Sequence, residues 1–163
     1  VGDASWPWAL QAEQRFSLAP TALKIHLSVT NRSDEVMPAG LGWHPYFVKA
    51  SGITEDAEFH WPIGEDFMPT GHISTESTDG KTRYLSDWSE ATIELTTGLK
   101  LALTASQELS HLVVHDVAPG YTCVEPVSHL ANALSLRPQR SCDALVELAP
   151  EKTLSAEIML RML

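Results

Sequence analysis

The sequence predicts an all-β protein built as an antiparallel sandwich. Most of its 163 residues fall into short runs in which apolar and polar side chains alternate, the period of a strand with one buried face. Glycine, proline and small polar residues punctuate these runs as turns do. Helical signals are confined to short turns, for example at residues 130–134. The alternation alone fits a sandwich or a barrel.

The chain opens with a predicted hairpin that has one buried face. Residues 9–18 alternate imperfectly, Pro20 lies in the turn, and residues 23–30 alternate cleanly. The face that we expect to be buried carries Leu23, Ile25, Leu27 and Val29. His26 falls on the opposite, polar face, so it is predicted to be a surface residue and not a site residue.

The middle of the chain mixes predicted strands with one long connection. Residues 48–56 are small and polar and are predicted to form a loop. A short strand follows at residues 57–62, where Pro62 should end it. Residues 64–82 combine glycine, proline and polar side chains, which is typical of an irregular connection that carries function or stays mobile.

The second half of the chain completes the sandwich. Further strands are predicted at residues 91–96, 99–104, 112–116, 121–125, 143–148 and 154–161. Thr97 and Gly98 separate the first two runs, which is a strong hairpin signal. The length is sufficient for one domain with its own hydrophobic core, and the composition gives no sign of a second domain. Residues 1–163 are therefore predicted to form a single domain.

The composition argues against several classes of binding partner. With 11 basic against 21 acidic side chains the formal charge is -10, which argues against a nucleic-acid backbone or an anionic membrane as partner. No apolar run approaches the roughly 18 residues of a membrane span. A neutral or cationic small ligand fits better. Cys123 and Cys142 form neither a metal-binding pattern nor a disulfide framework, which favours a reducing cytoplasm and leaves a single disulfide open.

Residues 37–47 place a histidine on stiff backbone. Pro45 biases His44 towards an extended conformation, and two glycines nearby permit close approaches that a Cβ would forbid. Three aromatic residues flank the imidazole: Trp43, Tyr46 and Phe47. Such a setting suits either a packed histidine at a strand end or a sugar-stacking wall with a titratable group at its edge.

Two blocks of the sequence resemble one known family. Residues 31–47, NRSDEVMPAGLGWHPYF, resemble the signature of the aldose 1-epimerase (galactose mutarotase) family, in which a Gly-x-His-Pro-Tyr-Phe segment supplies an active-site histidine. Residues 123–133, CVEPVSHLANA, resemble the family's later Glu-Pro block, whose glutamate is the catalytic base. The resemblance runs from about Trp6 to the C-terminus and matches the later part of longer family members.

The resemblance implies a fold, a reaction and a set of residues. The fold would be part of a galactose-mutarotase-like supersandwich, and the substrate a sugar of the aldohexose class. Glu125 would take the proton of the C1 hydroxyl while His44 protonates the ring oxygen, which opens the ring to an aldehyde that rotates and recloses. No cofactor is required. The two side chains should lie several ångströms apart, with the pyranose ring between them.

Four further residues are predicted to contact the sugar: Trp43, Tyr46, Trp61 and Asp87. The first two belong to the aromatic wall beside the histidine. Trp61 resembles a residue of a pocket-lining strand, with half-buried packing as the alternative. Asp87 lies in the nearest match to an aspartate-rich stretch of the family, which is shorter here. For Glu125 the alternative role is a strand-end carboxylate that caps a loop.

The resemblance also implies an incomplete site. Longer family members bring an arginine and a further histidine from the earlier part of the chain, and no segment here matches those motifs. Because orientation supplies much of catalysis, one implied outcome is that this chain is inactive by itself. Missing strands would leave unpaired edges and apolar surface, which favours a homodimer.

Other chemistries find less support in the residues. His111 and His115 lie four apart with Asp116 beside them, but no third and fourth ligand follows, so no metal site is predicted. The sequence has no Gly-x-Ser-x-Gly elbow, phosphate loop or dinucleotide fingerprint. Two alternatives to the enzyme remain open: a carbohydrate-binding or sugar-sensing relative without catalysis, and a structural β-domain that assembles with a partner.

Overall fold

The computed structural model describes residues 6–77, 80–135 and 140–163, and in these ranges it consists of antiparallel strands and turns. The strands are β1 (Leu10–Ala19), β2 (Ala22–Asn31), β3 (Met37–Ala39), β4 (Tyr46–Val48), β5 (Ala50–Glu55), β6 (Phe59–Trp61), β7 (Thr82–Ser86), β8 (Glu90–Leu95), β9 (Lys100–Ala105), β10 (His111–His115), β11 (Tyr121–Val127), β12 (Val146–Leu148) and β13 (Thr153–Met162). The predicted all-β antiparallel class is confirmed.

Two large sheets form the body of the protein. One has six strands in the order β1-β2-β13-β9-β8-β5, the other five in the order β4-β11-β10-β7-β6, and β12 pairs with β3 in a small third sheet. The two large sheets face each other across a core of aliphatic side chains that includes Ile25, Leu27, Leu85, Ile93, Leu103, Leu112, Val114, Val124 and Ile158. Each such side chain contributes about 1.5 to 3 kcal/mol by leaving water.

The alternation in β2 is confirmed, but the burial of its hairpin partner β1 differs from the prediction. Ile25, Leu27 and Val29 are buried, and β1 pairs with β2 along its whole length as a hairpin. Every residue of β1 is nevertheless exposed, including Phe16 and Leu18. The expectation of a buried face is therefore wrong for β1, because it is an edge strand that the five-stranded sheet does not cover.

The loop predicted at residues 48–56 is wrong. Residues Ala50–Glu55 form β5, which pairs with β8 and closes one edge of the six-stranded sheet. A bulge between Ala50 and Gly52 shifts the register at the start of the pairing. Small polar residues signal a loop in isolation, but an edge strand needs only one bonded neighbour and tolerates them when that neighbour is in place.

The connection predicted at residues 64–82 is irregular where it is described, while residues 78 and 79 lie outside the described ranges. Single bridges join Ser74 to His60 and Pro69 to Ile63.

The strand predicted at residues 143–148 is shorter than expected, because Ser141–Asp143 forms a 3₁₀ turn and β12 begins only at Val146. No helix in the described ranges is long and apolar enough to cross a membrane.

The five-stranded sheet positions the candidate site residues. Its inner face packs on the six-stranded sheet, so alternate residues project from what we call the outer face. The antiparallel register aligns them in rows: Glu125 pairs with Val113, Val113 with Tyr84, and Tyr84 with Trp61. Residues far apart in sequence therefore become neighbours on this face.

Candidate active site

A cavity of about 420 Å³ opens on the outer face, where β4, β11, β10 and β7 meet. This volume lies in the usual range for small-molecule sites. The cavity is lined by His44, Tyr46, Thr82, Tyr84, Val113, His115, Tyr121, Cys123, Glu125, Val127, His129 and Ala131. Imidazoles, phenols and one carboxylate make up most of its polar lining, a combination that can hydrogen-bond hydroxyl groups and move protons.

His44 reaches the cavity because glycine lets its loop approach β11. Gly42 forms a bridge with Val127, and the backbone N–H of Trp43 donates to the carbonyl of Pro126 at 3.1 Å. A Cβ on Gly42 would lie 2.9 Å from Cγ1 of Val127, closer than real Cβ contacts come. The absence of a side chain at this position therefore brings His44 beside the strand that carries the glutamate.

His44 and Glu125 meet directly. His44 Nε2 lies 3.3 Å from Glu125 Oε1, and the imidazole side chain is 55% exposed whereas the carboxylate is 12% exposed. The imidazole stacks on the ring of Tyr46, with centroids 4.8 Å apart and planes inclined by 14°. The expected gap of several ångströms between the two groups is wrong for this structure, since no ring fits between atoms in contact.

The electrostatics of the cavity shift the pKa of Glu125. Burial raises the pKa of its carboxyl above the usual value, while the neighbouring imidazoles of His44 and His115 act in the opposite direction. A raised pKa makes the carboxylate a stronger base once it is ionised. Burial is also the main reason that the pKa of Tyr84 is raised and that of His129 is lowered.

Three of the predicted substrate contacts lie outside the cavity, and Tyr46 is the one that lines it. Trp43 packs against the core between the sheets and meets Phe47 edge to face at 6.3 Å. Trp61 projects from the same outer face as Glu125, but it is only 1% exposed. Asp87 pairs with Arg140 at 2.6 Å. Contacts of Arg140 account for the positions of Trp61 and Asp87.

Arg140 seals the opposite end of the outer face, which we call the closed end. Its guanidinium lies 6.0 Å from the ring centroid of Trp61 and donates to Ser86 Oγ and to Asp143 Oδ1, both at 2.9 Å. Trp61 in turn donates its indole N–H to Ser86 Oγ at 3.1 Å. Trp61 is thus fully buried beneath an arginine, whereas the packing alternative expected it to be half-buried.

A second histidine–carboxylate pair lies at the closed end. His111 Nε2 lies 3.1 Å from Asp143 Oδ1, and the two side chains are 2% and 0% exposed. Because a carboxylate only accepts, Nε2 carries the proton and donates, which leaves Nδ1 to accept from Ser110 at 3.0 Å. Burial lowers the pKa of His111, with Asp143 acting against that shift.

Sequence reasoning missed several residues of the cavity. Tyr121 follows from the strand period, since it lies on the same face of β11 as Glu125. His115 and Tyr84 depend on the register between β7, β10 and β11, which no sequence pattern shows. Tyr121 meets Tyr46 edge to face at 5.1 Å, so the cavity has a continuous aromatic wall.

Similarity to known proteins identifies the family of this chain. The family model for aldose 1-epimerase matches residues 1–160, and the chain belongs to the aldose 1-epimerase family. It is 28% identical over 179 residues to the uncharacterized protein YphB of Escherichia coli strain K12, an alignment that covers 93% of this chain and 59% of YphB.

Solved structures show the same fold. A galactose mutarotase-like protein from Clostridium acetobutylicum superposes with a TM-score of 0.83 at 20% identity, over 96% of this chain and 56% of that protein. A galactose mutarotase-like protein from Lactobacillus casei gives a TM-score of 0.73 at 15% identity, over 97% and 74% respectively. The chain thus spans a little under 60% of YphB and of the Clostridium protein.

Proposed function

We propose that the protein interconverts the α and β anomers of an aldohexose, with Glu125 as the base and His44 as the acid. The observation that carries the proposal is that both side chains line the same cavity of about 420 Å³, the carboxylate mostly buried and the imidazole mostly exposed. Membership of the aldose 1-epimerase family supports the reaction class, because the two residues stand in the blocks that resemble the family's own acid and base.

The environments of the two groups suit different tasks. The Glu125 side chain is mostly buried, which raises the pKa of its carboxyl and makes the ionised form a stronger base. It would accept the proton of the C1 hydroxyl. His44 is mostly exposed and would deliver a proton to the ring oxygen. Both transfers reverse when the ring closes, so no external proton donor or cofactor enters the cycle.

The contact between the pair must open for a sugar to enter. The imidazole of His44 is held by stacking on Tyr46 and by its approach to Glu125, and more than half of its surface faces solvent. A rotation of this side chain costs little compared with moving a buried group. Tyr46 and Tyr121 would then offer ring faces and edges to the apolar side of the sugar.

Polarimetry tests the proposal. Freshly dissolved α-glucose or α-galactose should reach its equilibrium rotation faster with the protein than without it. His44→Asn should remove most of the acceleration, a loss of about 100 to 10,000-fold. The matched control is His26→Asn, which changes a histidine on the six-stranded sheet, outside the cavity, and should leave the rate unchanged. A His44→Asn rate equal to that of the control would refute the role of His44.

A non-catalytic sugar-binding protein is the second candidate, and one observation favours it. The acid and base touch each other, as they would in a relative that keeps the aromatic wall without an open catalytic gap. This candidate predicts saturable sugar binding, seen for example as a change in tryptophan or tyrosine fluorescence, with no faster anomer exchange. A wild-type rate enhancement that saturates with sugar would exclude it.

A further inference from the structure

Three side chains that offer a nitrogen, a sulfur and an oxygen donor to a metal lie close together in the cavity. One imidazole nitrogen of His44, Cys123 Sγ and a carboxylate oxygen of Glu125 all lie within 4.8 Å of one another. We propose that they form a binding site for one borderline or soft divalent cation, with Zn²⁺ as the best match, and that the bound cation excludes sugar from the cavity. The site goes beyond the proposed anomer exchange and stands whether or not the protein catalyses it.

The distances are close to those of a tetrahedral centre. Zn–N and Zn–O bonds of about 2.0 to 2.2 Å and a Zn–S bond of about 2.3 Å place the donors roughly 3.4 to 3.6 Å apart. The pair of His44 and Glu125 already lies at 3.3 Å. The remaining separations, at most 4.8 Å, need to close by roughly 1.2 to 1.4 Å. Rotation of the mostly exposed His44 side chain, together with rotations about the side-chain bonds of Glu125, would supply that movement.

Strand geometry holds two of the three donors in place. Cys123 and Glu125 are two residues apart on β11, so their side chains project from the same face of the sheet. Cys123 is buried at the base of the cavity, and its partner in register on β4 is Tyr46, on which His44 stacks. Two donors are therefore fixed by a strand, and the third closes over them from a loop.

The donor chemistry selects the kind of cation. A thiolate, an imidazole and a carboxylate suit zinc, cobalt or cadmium, whereas magnesium and calcium prefer oxygen ligands alone. The thiolate and the carboxylate together balance the charge of a divalent cation. Among the described residues that line the cavity there is no lysine or arginine to oppose it, and the formal charge of the chain is -10.

Binding of the cation would compete with the sugar. The imidazole nitrogen and the carboxylate that the metal requires are the two groups that we assign to proton transfer. Three protein ligands leave the fourth position of a tetrahedral ion to a water molecule, which would occupy the same part of the cavity as the sugar. The expected effect is that zinc lowers the apparent affinity of the protein for sugar.

Cobalt spectroscopy tests the site without relying on activity. The purified protein carrying Cys142→Ser, which removes the exposed second thiol, is titrated with Co²⁺. The expected result is a thiolate-to-cobalt charge-transfer band that saturates at one equivalent and disappears when Zn²⁺ is added. Adding Cys123→Ser should abolish the band. Adding His44→Gln should weaken cobalt affinity by more than about 100-fold, the upper end of what loss of a merely orienting partner costs.

Matched variants decide the interpretation. His26→Gln in the same background removes a histidine outside the cavity and should leave cobalt affinity unchanged. Circular dichroism confirms that each variant is folded. A missing charge-transfer band in the Cys142→Ser protein would overturn the proposal. So would a band that survives Cys123→Ser, or a His44→Gln affinity equal to that of His26→Gln, because the metal would then bind elsewhere.

Discussion

The outer face of the five-stranded sheet carries two histidine–carboxylate pairs, and they differ in almost everything except distance. His111 and Asp143 lie 3.1 Å apart at the closed end, His44 and Glu125 3.3 Å apart at the open cavity. The first pair is sealed from solvent. Asp143 also accepts from Arg140, so its carboxylate has a cationic partner. The second pair has an exposed imidazole and no arginine beside its carboxylate among the described contacts.

This difference separates a structural pair from a chemically available one. A buried carboxylate with a charged donor and an imidazole partner keeps a fixed geometry, which stabilises the turn that covers Trp61. Glu125 is mostly buried and has no arginine partner among the described contacts, so burial raises its pKa, which suits the proton exchange that we propose for it. Contact distance between a histidine and a carboxylate therefore says little about function until their other partners are counted.

The largest expected effect tests the closed end. Asp143→Asn should lower the free energy of unfolding by about 1 to 3 kcal/mol, because His111 and Arg140 lose the buried charge to which they donate, while Asp87 still pairs with Arg140. Urea denaturation measures this loss, and Asp34→Asn on an exposed loop serves as the control. A loss below about 1 kcal/mol would mean that the closed end is no more structural than a surface ion pair.

The pH dependence of anomer exchange sharpens the comparison at the open cavity. The base must be ionised, and because burial raises the pKa of Glu125, kcat/KM should reach half its maximum at a pH above the ordinary glutamate value of 4.5. Below that pH it should fall about tenfold per pH unit. Removing the nearby positive charge with His115→Gln should move the acid limb to higher pH, since His115 opposes the rise. An acid limb at or below pH 4.5 would contradict this electrostatic account.

A smaller effect is expected from the aromatic wall. Tyr46→Ala removes the ring on which His44 stacks, a contact worth about 0.5 to 1.5 kcal/mol, so kcat/KM should fall by about 2 to 12-fold. Phe47→Ala is a useful contrast, because its ring packs on the core and its loss should appear mainly in thermal stability. Equal losses of activity in both variants, at equal stability, would argue against a specific role for the stacking.

The sequence predicted the parts of the fold that depend on local pattern. Alternation identified β2, β8, β9 and β13, and two motif blocks identified His44 and Glu125 as the residues to compare. Strand β5 was missed because its small polar residues acquire their conformation from β8, a partner roughly forty residues away. Local propensity does not contain that information.

The site was only partly predictable for a related reason. Trp61 was expected in the pocket, and the strand period does put it on the correct face. What buries it is Arg140, which reaches Ser86 and Asp87 from more than fifty residues away. In the same way, His115 enters the cavity through the register between β10 and β11. Contacts of this range become visible only when the sheet is assembled.

One measurement tests the central claim most directly: kcat/KM for anomer exchange by Glu125→Gln and Asp143→Asn, side by side, at a temperature where circular dichroism shows both folded. The account predicts a loss of about 100 to 10,000-fold for Glu125→Gln. Its stability at pH 7 should match or exceed that of wild type, because a raised pKa means that ionised Glu125 costs stability above its usual titration range. Folded Asp143→Asn should keep nearly all its activity. An active Glu125→Gln protein, or a folded Asp143→Asn protein that has lost the reaction, would contradict the assignment of chemistry to the open pair.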